Sequence, residues 1–465
     1  MSRKWWTLVA VCVATFMLLL DITIVNVALP AIQRALKASF SDLQWVVDAY
    51  ALALATCVLT AGALADLFGR KKLFLLGIAL FTIASAACGL AWDPLFLIVA
   101  RGVQGIGGAM MFATALALLS QEFHGRERGT AFGLWGAVIG AAVAIGPLAG
   151  GMLTSWISWR WIFLVNIPIG VAAIALGARQ LHESSDPEHS RLDPAGLVTL
   201  TTGLFCLILA LIEGNGHGWT STFIVLLIVA AVVLLGAFVA LQARDGATMI
   251  DLALFRRPAF VGAQTTAFAI SASMFAMFLY LTLYLQNILH LSALETGVRF
   301  LPLSVLSFFT APAAGRLSAR VPIRFLIGAG LALNAVAMWS MSHVKADSHW
   351  TVLLPGFLIG GVGIGLVNAP LATTAVSTVR VERAGMASGL NNTFRQIGIA
   401  TGIAALGAIF ASKTGSNRDP STFVQGLHDI LLVGAATAAV GAVLAVVLIR
   451  RRDFVSSGPP QGAEA

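Results

Sequence analysis

The chain carries little charge for its length, and its few cysteines lie where they cannot stabilise an external loop. Of 465 residues, only 11% are charged and 58% are hydrophobic, with a mean hydropathy of +0.88, whereas about 25% of the residues of a soluble domain are charged. All four cysteines lie inside apolar runs, and their spacing matches no metal site. The sequence also lacks a phosphate-binding loop, a hydrolase nucleophile elbow and a metal-binding box. These absences exclude a soluble domain and give no support to an enzyme or an ATP-driven machine.

Long apolar runs take the place of these features. A helix needs about 20 apolar residues to cross the hydrocarbon core, and fourteen such runs follow one another along the chain. We therefore predict an all-α polytopic membrane protein with fourteen transmembrane helices. The first run continues through Asp21 to Pro30 without a signal-peptide cleavage site, so we predict that it is retained as span 1. The net charge of +8 does not indicate nucleic-acid binding, because the basic residues lie in short loops between the runs.

The basic residues are divided unevenly between the two alternate sets of predicted loops. Twenty of the 29 Lys and Arg residues fall in one set, and six fall in the other. Because loops rich in Lys and Arg stay in the cytoplasm, the first set is predicted to be cytoplasmic. An even number of spans places both termini on that same side. We therefore predict a multi-pass protein of the cell membrane with both termini in the cytoplasm.

The sequence contains an internal repeat. RERGTAFGL at 126–134 matches VERAGMASGL at 381–390, with one additional residue in the second copy. Two parallel copies of a six-helix unit account for this match, with spans 7 and 8 inserted between them. We predict an N-terminal six-helix bundle over residues 1–181, an inserted helix pair over 192–243, a C-terminal six-helix bundle over 255–452 and a disordered cytoplasmic tail over 453–465.

Three charged residues fall within the first four predicted spans. Asp21 lies in LDITIVNVALP of span 1, Asp48 in the first turns of span 2 and Arg101 in the outer part of span 4. Ionisable groups in a membrane are costly and indicate function by default, and a carboxylate in apolar surroundings can exchange a proton near neutral pH. We predict that Asp21 binds a proton or cation, and that it shares one outer cavity with Asp48. A structural acid paired with a buried base is the alternative, and either acid could partner Arg101.

The loop between spans 2 and 3 reads GALADLFGRKKL and begins at Gly62. Gly62 and Gly69 flank Asp66. Arg70 follows as the first of three consecutive bases. Glycine permits helices to approach closely, and a helix N-terminus attracts a carboxylate. Since the repeat places the start of span 13, near Gly385, at a comparable depth, we predict that Asp66 joins the two halves there with the help of Arg70. A loop that serves only topology is the alternative.

Span 5 contains GAVIGAAVAIGPLAGG at 136–151. Pro147 removes one backbone hydrogen bond, and the neighbouring Gly146 and Gly150 permit a bend. We predict a hinge or gating role for this stretch, and tight helix packing is the alternative.

Three further polar residues within apolar runs are candidates for the lining of a cavity. Arg395 lies about ten residues into span 13, within LNNTFRQIGIATG, and Asn391 precedes it by about one turn. Asn26 follows Asp21 in span 1. A structural role is the alternative for each, because polar side chains inside a bundle also pair with one another.

Together these motifs resemble those of the fourteen-span drug:proton antiporter family of the major facilitator superfamily, of the EmrB/QacA type. The resemblance covers almost the whole chain and includes WRWIFLVNIPIG at 159–170 and LNNTFRQIG at 390–398. It implies export of lipophilic, often cationic, compounds against proton entry by alternating access. Asp21 would be the coupling acid, Arg101 its partner, and the loop around Asp66 a latch of the outward-facing state.

Other expectations accompany that resemblance. Span 10 carries no mid-membrane acid, which argues against the export of divalent cations. We expect a monomer that uses the proton gradient as its energy source and needs no cofactor, metal or nucleic acid. A proton-coupled uptake porter for a small nutrient is the alternative function, although the Gly146–Pro147 stretch argues against it. A receptor or scaffold without transport activity is a further alternative, which the intramembrane charges Asp21 and Arg101 argue against.

Overall fold

The structure is a computed structural model that describes residues 2–185, 193–244, 250–380, 383–414, 419–450 and Phe454, and their regular structure is helical. A π-helical turn over Tyr284–Ile288 extends the tenth helix. Short 3-10 turns cover Leu252–Arg256 and Trp350–Leu353. The α-helices are α1 Arg3–Leu36, α2 Phe40–Phe68, α3 Arg70–Gly89, α4 Pro94–Glu122, α5 Gly125–Trp156, α6 Trp161–Leu164, α7 Asn166–Gln180, α8 Pro194–His217, α9 Thr222–Arg244, α10 Pro258–Leu283, α11 Ala293–Leu317, α12 Ile323–Met341, α13 Leu354–Ser377, α14 Ala384–Thr414 and α15 Pro420–Leu448.

Most of these helices have the length and composition of membrane spans. Thirteen segments of the described residues are long and apolar enough to cross a membrane, and one of them combines α6 and α7. Helix α5, which has 32 residues, adds a fourteenth segment of sufficient length. The all-α membrane fold that the sequence predicts is therefore confirmed.

Short polar side chains fix several helix starts between the apolar runs. Ser39 and Asp42 form a reciprocal capping box at the start of α2, and Ser292 with Glu295 does the same for α11. Asp93 accepts a hydrogen bond from the Phe96 amide at the start of α4 (2.9 Å). Such caps satisfy amide groups that have no partner within the helix. They place α2, α4 and α11, three helices that matter for the site, at defined depths.

Each six-helix half has its own apolar core. One set of buried side chains joins α1–α5 with α7 and extends to Ala372, Val376 and Ala384 of the other half, and another set joins α10–α15. A further cluster, which includes Leu59, Leu204 and Leu390, lies where α2, α8 and α14 meet. Helix α8 therefore packs against both halves. The predicted boundaries of the bundles remain a prediction, and the predicted disordered tail over 453–465 lies outside the described residues apart from Phe454.

The N-terminus, the α2–α3 loop and the end of α7 lie on one face of the bundle. Arg3 Nε donates to the Gln180 carbonyl (2.8 Å), and Lys4 Nζ pairs with Glu127 (2.6 Å). The Lys71 amide donates to Glu183 (3.1 Å). We call this surface the basic face, since it carries the consecutive bases of the α2–α3 loop.

Candidate functional site

A buried ion pair joins α1 to α4 inside the N-terminal half. Arg101 Nη1 donates to Asp21 Oδ2 at 2.5 Å, and each residue is 1% exposed. Arg101 Nε also donates to the Val46 carbonyl of α2 (3.0 Å), and the guanidinium lies over the Tyr50 ring, 4.2 Å from its centroid. Sequence reasoning left open whether Asp21 or Asp48 partners Arg101, and the structure selects Asp21.

Two amide side chains complete the surroundings of the Asp21 carboxylate. Gln104 Nε2 donates to Asp21 Oδ1 at 2.9 Å, and Asn166 Nδ2 donates to the same oxygen at 3.0 Å. Asn166 is in turn within 3.0 Å of the Ser85 hydroxyl, which donates to the Phe163 carbonyl at 2.9 Å. The carboxylate therefore receives one charged and two neutral donors, from α4 and α7, and Ser85 links this set to α3.

This donor set links protonation of Asp21 to helix positions. An ionised carboxylate only accepts hydrogen bonds, whereas a protonated one must also donate. A proton on Asp21 would weaken the attraction to Arg101, and the oxygen that carries the proton would lose a donor that it now accepts, either Arg101 at Oδ2 or one of the two amides at Oδ1. Because these groups are fully buried, water cannot replace the lost partner, and the side chains of α1, α4 and α7 must rearrange around the carboxyl group.

Gln104 and Asn166 were not singled out from the sequence. Both lie inside the quoted motifs RGVQGIGGAM and WRWIFLVNIPIG, and an uncharged amide in an apolar run is the signal that could have identified them. Nothing in the spacing indicated that both would meet Asp21, since they lie 83 and 145 residues away from it along the chain.

Asp48 does not join this network, so the prediction that Asp21 and Asp48 share one cavity is wrong. Asp21 is sealed inside the N-terminal half. Asp48 is half-buried on α2 and lies near Glu213 of α8. Glu213 pairs with His217 at 2.9 Å. The reason is rotational: along α2, Val46 and Tyr50 are turned towards Arg101, and Asp48 is therefore turned away from it.

Asp66 bridges the two halves at the basic face, as the sequence predicted. Its Oδ1 accepts a hydrogen bond from the Gly385 amide (3.1 Å), and its Oδ2 accepts one from the Met386 amide (2.7 Å). Arg70 Nε and Nη2 both donate to Oδ1, at 2.9 and 2.8 Å. Asp66 and Arg70 are buried, so the contact is shielded from water. The carboxylate thus occupies the N-terminus of α14, where the helix dipole favours a negative charge.

Close backbone contact accompanies this bridge. A Cβ placed on Gly62 would lie 2.5 Å from the Gly385 carbonyl oxygen and 3.2 Å from Gly389 Cα. Helices α2 and α14 can approach this closely only because both carry glycine at the contact. At the same face, Gly129 of α5 meets Gly315 of α11 in the same manner. The two halves are therefore closed against each other at the basic face.

The α2–α3 loop is held from outside by Glu183, which sequence reasoning missed. Gly69 has a φ of 112°, and a Cβ there would meet the Glu183 carboxylate at 2.5 Å. That carboxylate accepts hydrogen bonds from the Lys71 and Lys72 amides at 3.1 and 3.2 Å. Gly69 therefore permits both the backbone turn and the cap of α3, which fixes the orientation of Arg70.

The glycines of the span-5 motif pack against α1 beside Asp21. A Cβ on Gly146 would clash with Thr23 Oγ1, and one on Gly150 would lie 2.9 Å from the Ile24 carbonyl oxygen. Helix α5 runs through this stretch without interruption. The Pro147 side chain lies outside the described part of the structure. The packing is thus evident in the structure, and the hinge stays a prediction.

The three candidates for a cavity lining have different surroundings. Asn391 is 1% exposed and donates to Gln264 Oε1 of α10 at 3.2 Å, so it packs the C-terminal half internally and the prediction that it lines a cavity is wrong. Asn26 is exposed on α1. Arg395 is half-buried, and its Nη2 donates to Asn368 Oδ1 of α13 at 3.2 Å. Arg395 is the candidate that remains in contact with interior space.

Comparisons with known proteins agree with this architecture. A family model described as Major Facilitator Superfamily matches residues 11–403. The multidrug resistance protein Stp of Mycobacterium tuberculosis (strain CDC 1551 / Oshkosh) is 37% identical to the chain, over 89% of this chain and 77% of Stp. The puromycin resistance protein pur8 of Streptomyces alboniger is 36% identical, over 97% of this chain and 92% of pur8. The cephamycin export protein CmcT of Amycolatopsis lactamdurans is 36% identical, over 96% and 93%.

Among solved structures, the fold resembles that of the human organic anion transporter MFSD10 (TETRAN). The TM-score is 0.67, with 96% of this chain and 100% of that chain covered. The sequences are 14% identical, so this likeness concerns the fold alone.

Proposed function

Since the chain belongs to the Major Facilitator Superfamily, we propose that it is a proton-coupled efflux transporter that exports lipophilic drugs, antibiotics or related small molecules by alternating access. It is a carrier and not an enzyme. The observation that carries the proposal is its similarity, at 36–37% identity over most of both chains, to proteins named for multidrug resistance, puromycin resistance and cephamycin export. We assign it to the fourteen-span drug:proton antiporter branch because the described residues include segments enough for fourteen spans.

The buried Asp21 network supports proton coupling in this proposal. Asp21 carries the transported proton, and Arg101 holds the ionised form when the proton leaves. The amide groups of Gln104 and Asn166 both donate to the same carboxylate oxygen, at 2.9 and 3.0 Å. Binding or release of the proton therefore changes which of α1, α4 and α7 are held together. The proton gradient is the energy source, and no cofactor is required.

We further propose that the basic face is cytoplasmic and that the protein acts as a monomer in the cell membrane. The excess of Lys and Arg in the loops of this face supports the orientation. On that assignment the structure is closed towards the cytoplasm, since Asp66 and the paired glycines join the halves there.

Transport in proteoliposomes tests the proposal. Purified protein is reconstituted with a defined pH gradient, and uptake or release of a panel of lipophilic drugs is followed together with internal pH. Drug movement opposite in direction to the proton supports the antiporter. Drug and proton movement in the same direction would instead favour the alternative, a proton-coupled uptake porter for a small nutrient.

A further inference from the structure

Arg395 lies deep inside the protein, at the junction of the two halves. It follows Gly385 by ten residues on α14, which places it about 15 Å from the basic-face contact at 1.5 Å per residue. One turn earlier, Asn392 donates to the Phe112 carbonyl of α4 (3.2 Å). Asn368, the partner of Arg395, packs beside Gly136 of α5. Helices of both halves therefore surround Arg395 at this depth, and the residue is only partly exposed there.

No described acidic side chain neutralises Arg395. The ion pairs of the described residues do not include it, and its single hydrogen bond goes to the neutral amide of Asn368. A guanidinium offers five N–H donors. Its Nε and Nη1 have no protein partner among the described residues. They are also not among the side-chain nitrogen and oxygen atoms that are fully buried without a hydrogen bond. Most of its donors therefore point into accessible space.

Arg101 shows how a fully paired arginine in this protein is surrounded. It is 1% exposed, it pairs with Asp21, and it also donates to a backbone carbonyl and to Gln104. Arg395 differs in each respect, because it is partly exposed and, among the described residues, has no counter-ion and makes one hydrogen bond. A cation without a counter-ion is costly inside a membrane protein. That cost is offset if an anionic ligand completes the pair.

We propose that Arg395, supported by Asn368, is the recognition site for an anionic group of the substrate, such as a carboxylate, phenolate or sulfonate on a lipophilic scaffold. This inference rests on the proposed export function and specifies its substrate class. Asn368 Oδ1 holds one end of the guanidinium on α13, which leaves the other donors available for the two oxygens of a carboxylate. The site lies apart from Asp21, which is sealed within the N-terminal half and cannot itself contact the substrate.

The site also predicts which sign of charge on the substrate is favoured. Among the described residues, the acids within the spans form no ion pair with Arg395: Asp21 pairs with Arg101, Asp66 pairs with Arg70 at the basic face, and Asp48 lies near Glu213 of α8. The centre of the protein therefore carries an uncompensated positive charge. A cationic substrate would be repelled there, and a neutral one would gain no ion pair.

Binding of three probes that share one scaffold tests the inference. Naphthalene-2-acetate, its primary amide and (2-naphthylmethyl)trimethylammonium are titrated against the full-length protein in nanodiscs by calorimetry, with empty nanodiscs subtracted. We expect the wild-type protein to bind the carboxylate most tightly. Arg395→Gln should weaken carboxylate binding by about 10- to 100-fold, equivalent to about 1.4–2.8 kcal/mol, and leave amide binding unchanged. Arg395→Lys should restore part of the loss.

A second variant neutralises the positive charge of Arg395 and keeps the arginine itself. Asn368→Asp places a carboxylate beside Arg395 with little change in shape, so it should abolish the preference for the anionic probe. Arg299→Gln is the matched control, because Arg299 starts α11, donates to the Glu295 carbonyl (3.0 Å) and lies over Trp350. It should leave all three affinities unchanged.

The outcomes separate this inference from the export function. Equal affinities of the wild-type protein for carboxylate and amide would overturn the anion site, as would a carboxylate preference that survives both Arg395→Gln and Asn368→Asp. Proteoliposomes that show drug:proton exchange without that preference would leave export intact and refute the site alone. A preference lost in both variants would support the site even if no probe moved with the proton gradient.

Discussion

Replacement of Asp66 by alanine should open the basic face of the transporter. The Asp66 side chain accepts hydrogen bonds from two amides of the opposite half, Gly385 (3.1 Å) and Met386 (2.7 Å). Arg70, which belongs to the same half as Asp66, donates two hydrogen bonds to the carboxylate and so fixes its position. Alanine removes both cross-half bonds but keeps the backbone contact of Gly62 with the Gly385 carbonyl and Gly389 Cα, in which the Asp66 side chain takes no part.

The expected magnitude follows from what each state offers the carboxylate. In the closed state it receives two amide donors at a helix N-terminus, an interaction that stabilises by about 0.3–1 kcal/mol and up to about 2 kcal/mol when partly buried. In the open state water replaces those donors. A net preference of about 1–2 kcal/mol corresponds to a change of roughly 5- to 30-fold in the ratio of the two states.

Distances between spin labels on the two halves measure this ratio. Phe68 at the end of α2 and Leu317 at the end of α11 are exposed and accept labels after substitution by cysteine. The four native cysteines are replaced first, since all are free thiols. We expect Asp66→Ala to move population from the short to the long distance, with slower turnover and retained substrate binding.

Glu183→Gln is the matched control for this experiment. Glu183, which follows α7, is also a carboxylate that caps a helix at the α2–α3 loop, but its partners, the Lys71 and Lys72 amides, belong to its own half. It should therefore leave the distance distribution unchanged. If Asp66→Ala also leaves it unchanged, the latch is refuted and the loop serves only topology. Equal shifts in both variants would assign the effect to the loop and not to the bridge.

The remaining predictions concern coupling and closure. Asp21→Asn should abolish efflux driven by a pH gradient while expression is retained, and normal gradient-driven efflux would refute its role as the proton carrier. Arg101→Ala should stop transport or displace its pH profile, because Asp21 loses its charged donor; an unchanged profile in vesicles would make Arg101 purely structural. Gly62→Ala should hold α2 away from α14, since the new Cβ would lie 2.5 Å from the Gly385 carbonyl oxygen. The same spin labels should then report a longer distance, and an unaltered distance would show that the backbone contact does not limit closure.

The sequence predicted contacts best where chemistry demanded a particular partner. A buried arginine requires an acid, which led to Asp21 or Asp48, and a carboxylate near a helix start led from Asp66 to Gly385. It failed where the answer depended on how a helix is rotated in its bundle. Asp48 and Asn391 were placed in a cavity by depth alone, and the structure turns one towards α8 and the other into the packing of α10.

Residues whose partners lie far away along the chain could not be predicted from the sequence either. Asn166 and Glu183 have ordinary local surroundings, and their partners lie 145 and 112 residues away along the chain. A single sequence gives depth along each helix through its apolar pattern, but the neighbours of a helix follow from the packing of all of them.

Helix α5 offers a physical connection between the coupling acid and the closure of the basic face. Near the opposite face its Gly146 and Gly150 lie against Thr23 and Ile24, which follow Asp21 directly on α1. Near the basic face the same helix meets α11, where a Cβ on Gly133 would lie 2.7 Å from Pro312 Cα. A change in the Asp21 donor set that moves α1 must therefore move α5 or separate the two helices. Because α5 is continuous over its 32 residues, a displacement at one end reaches the contact between halves at the other, without any residue of the proton site touching the opposite half.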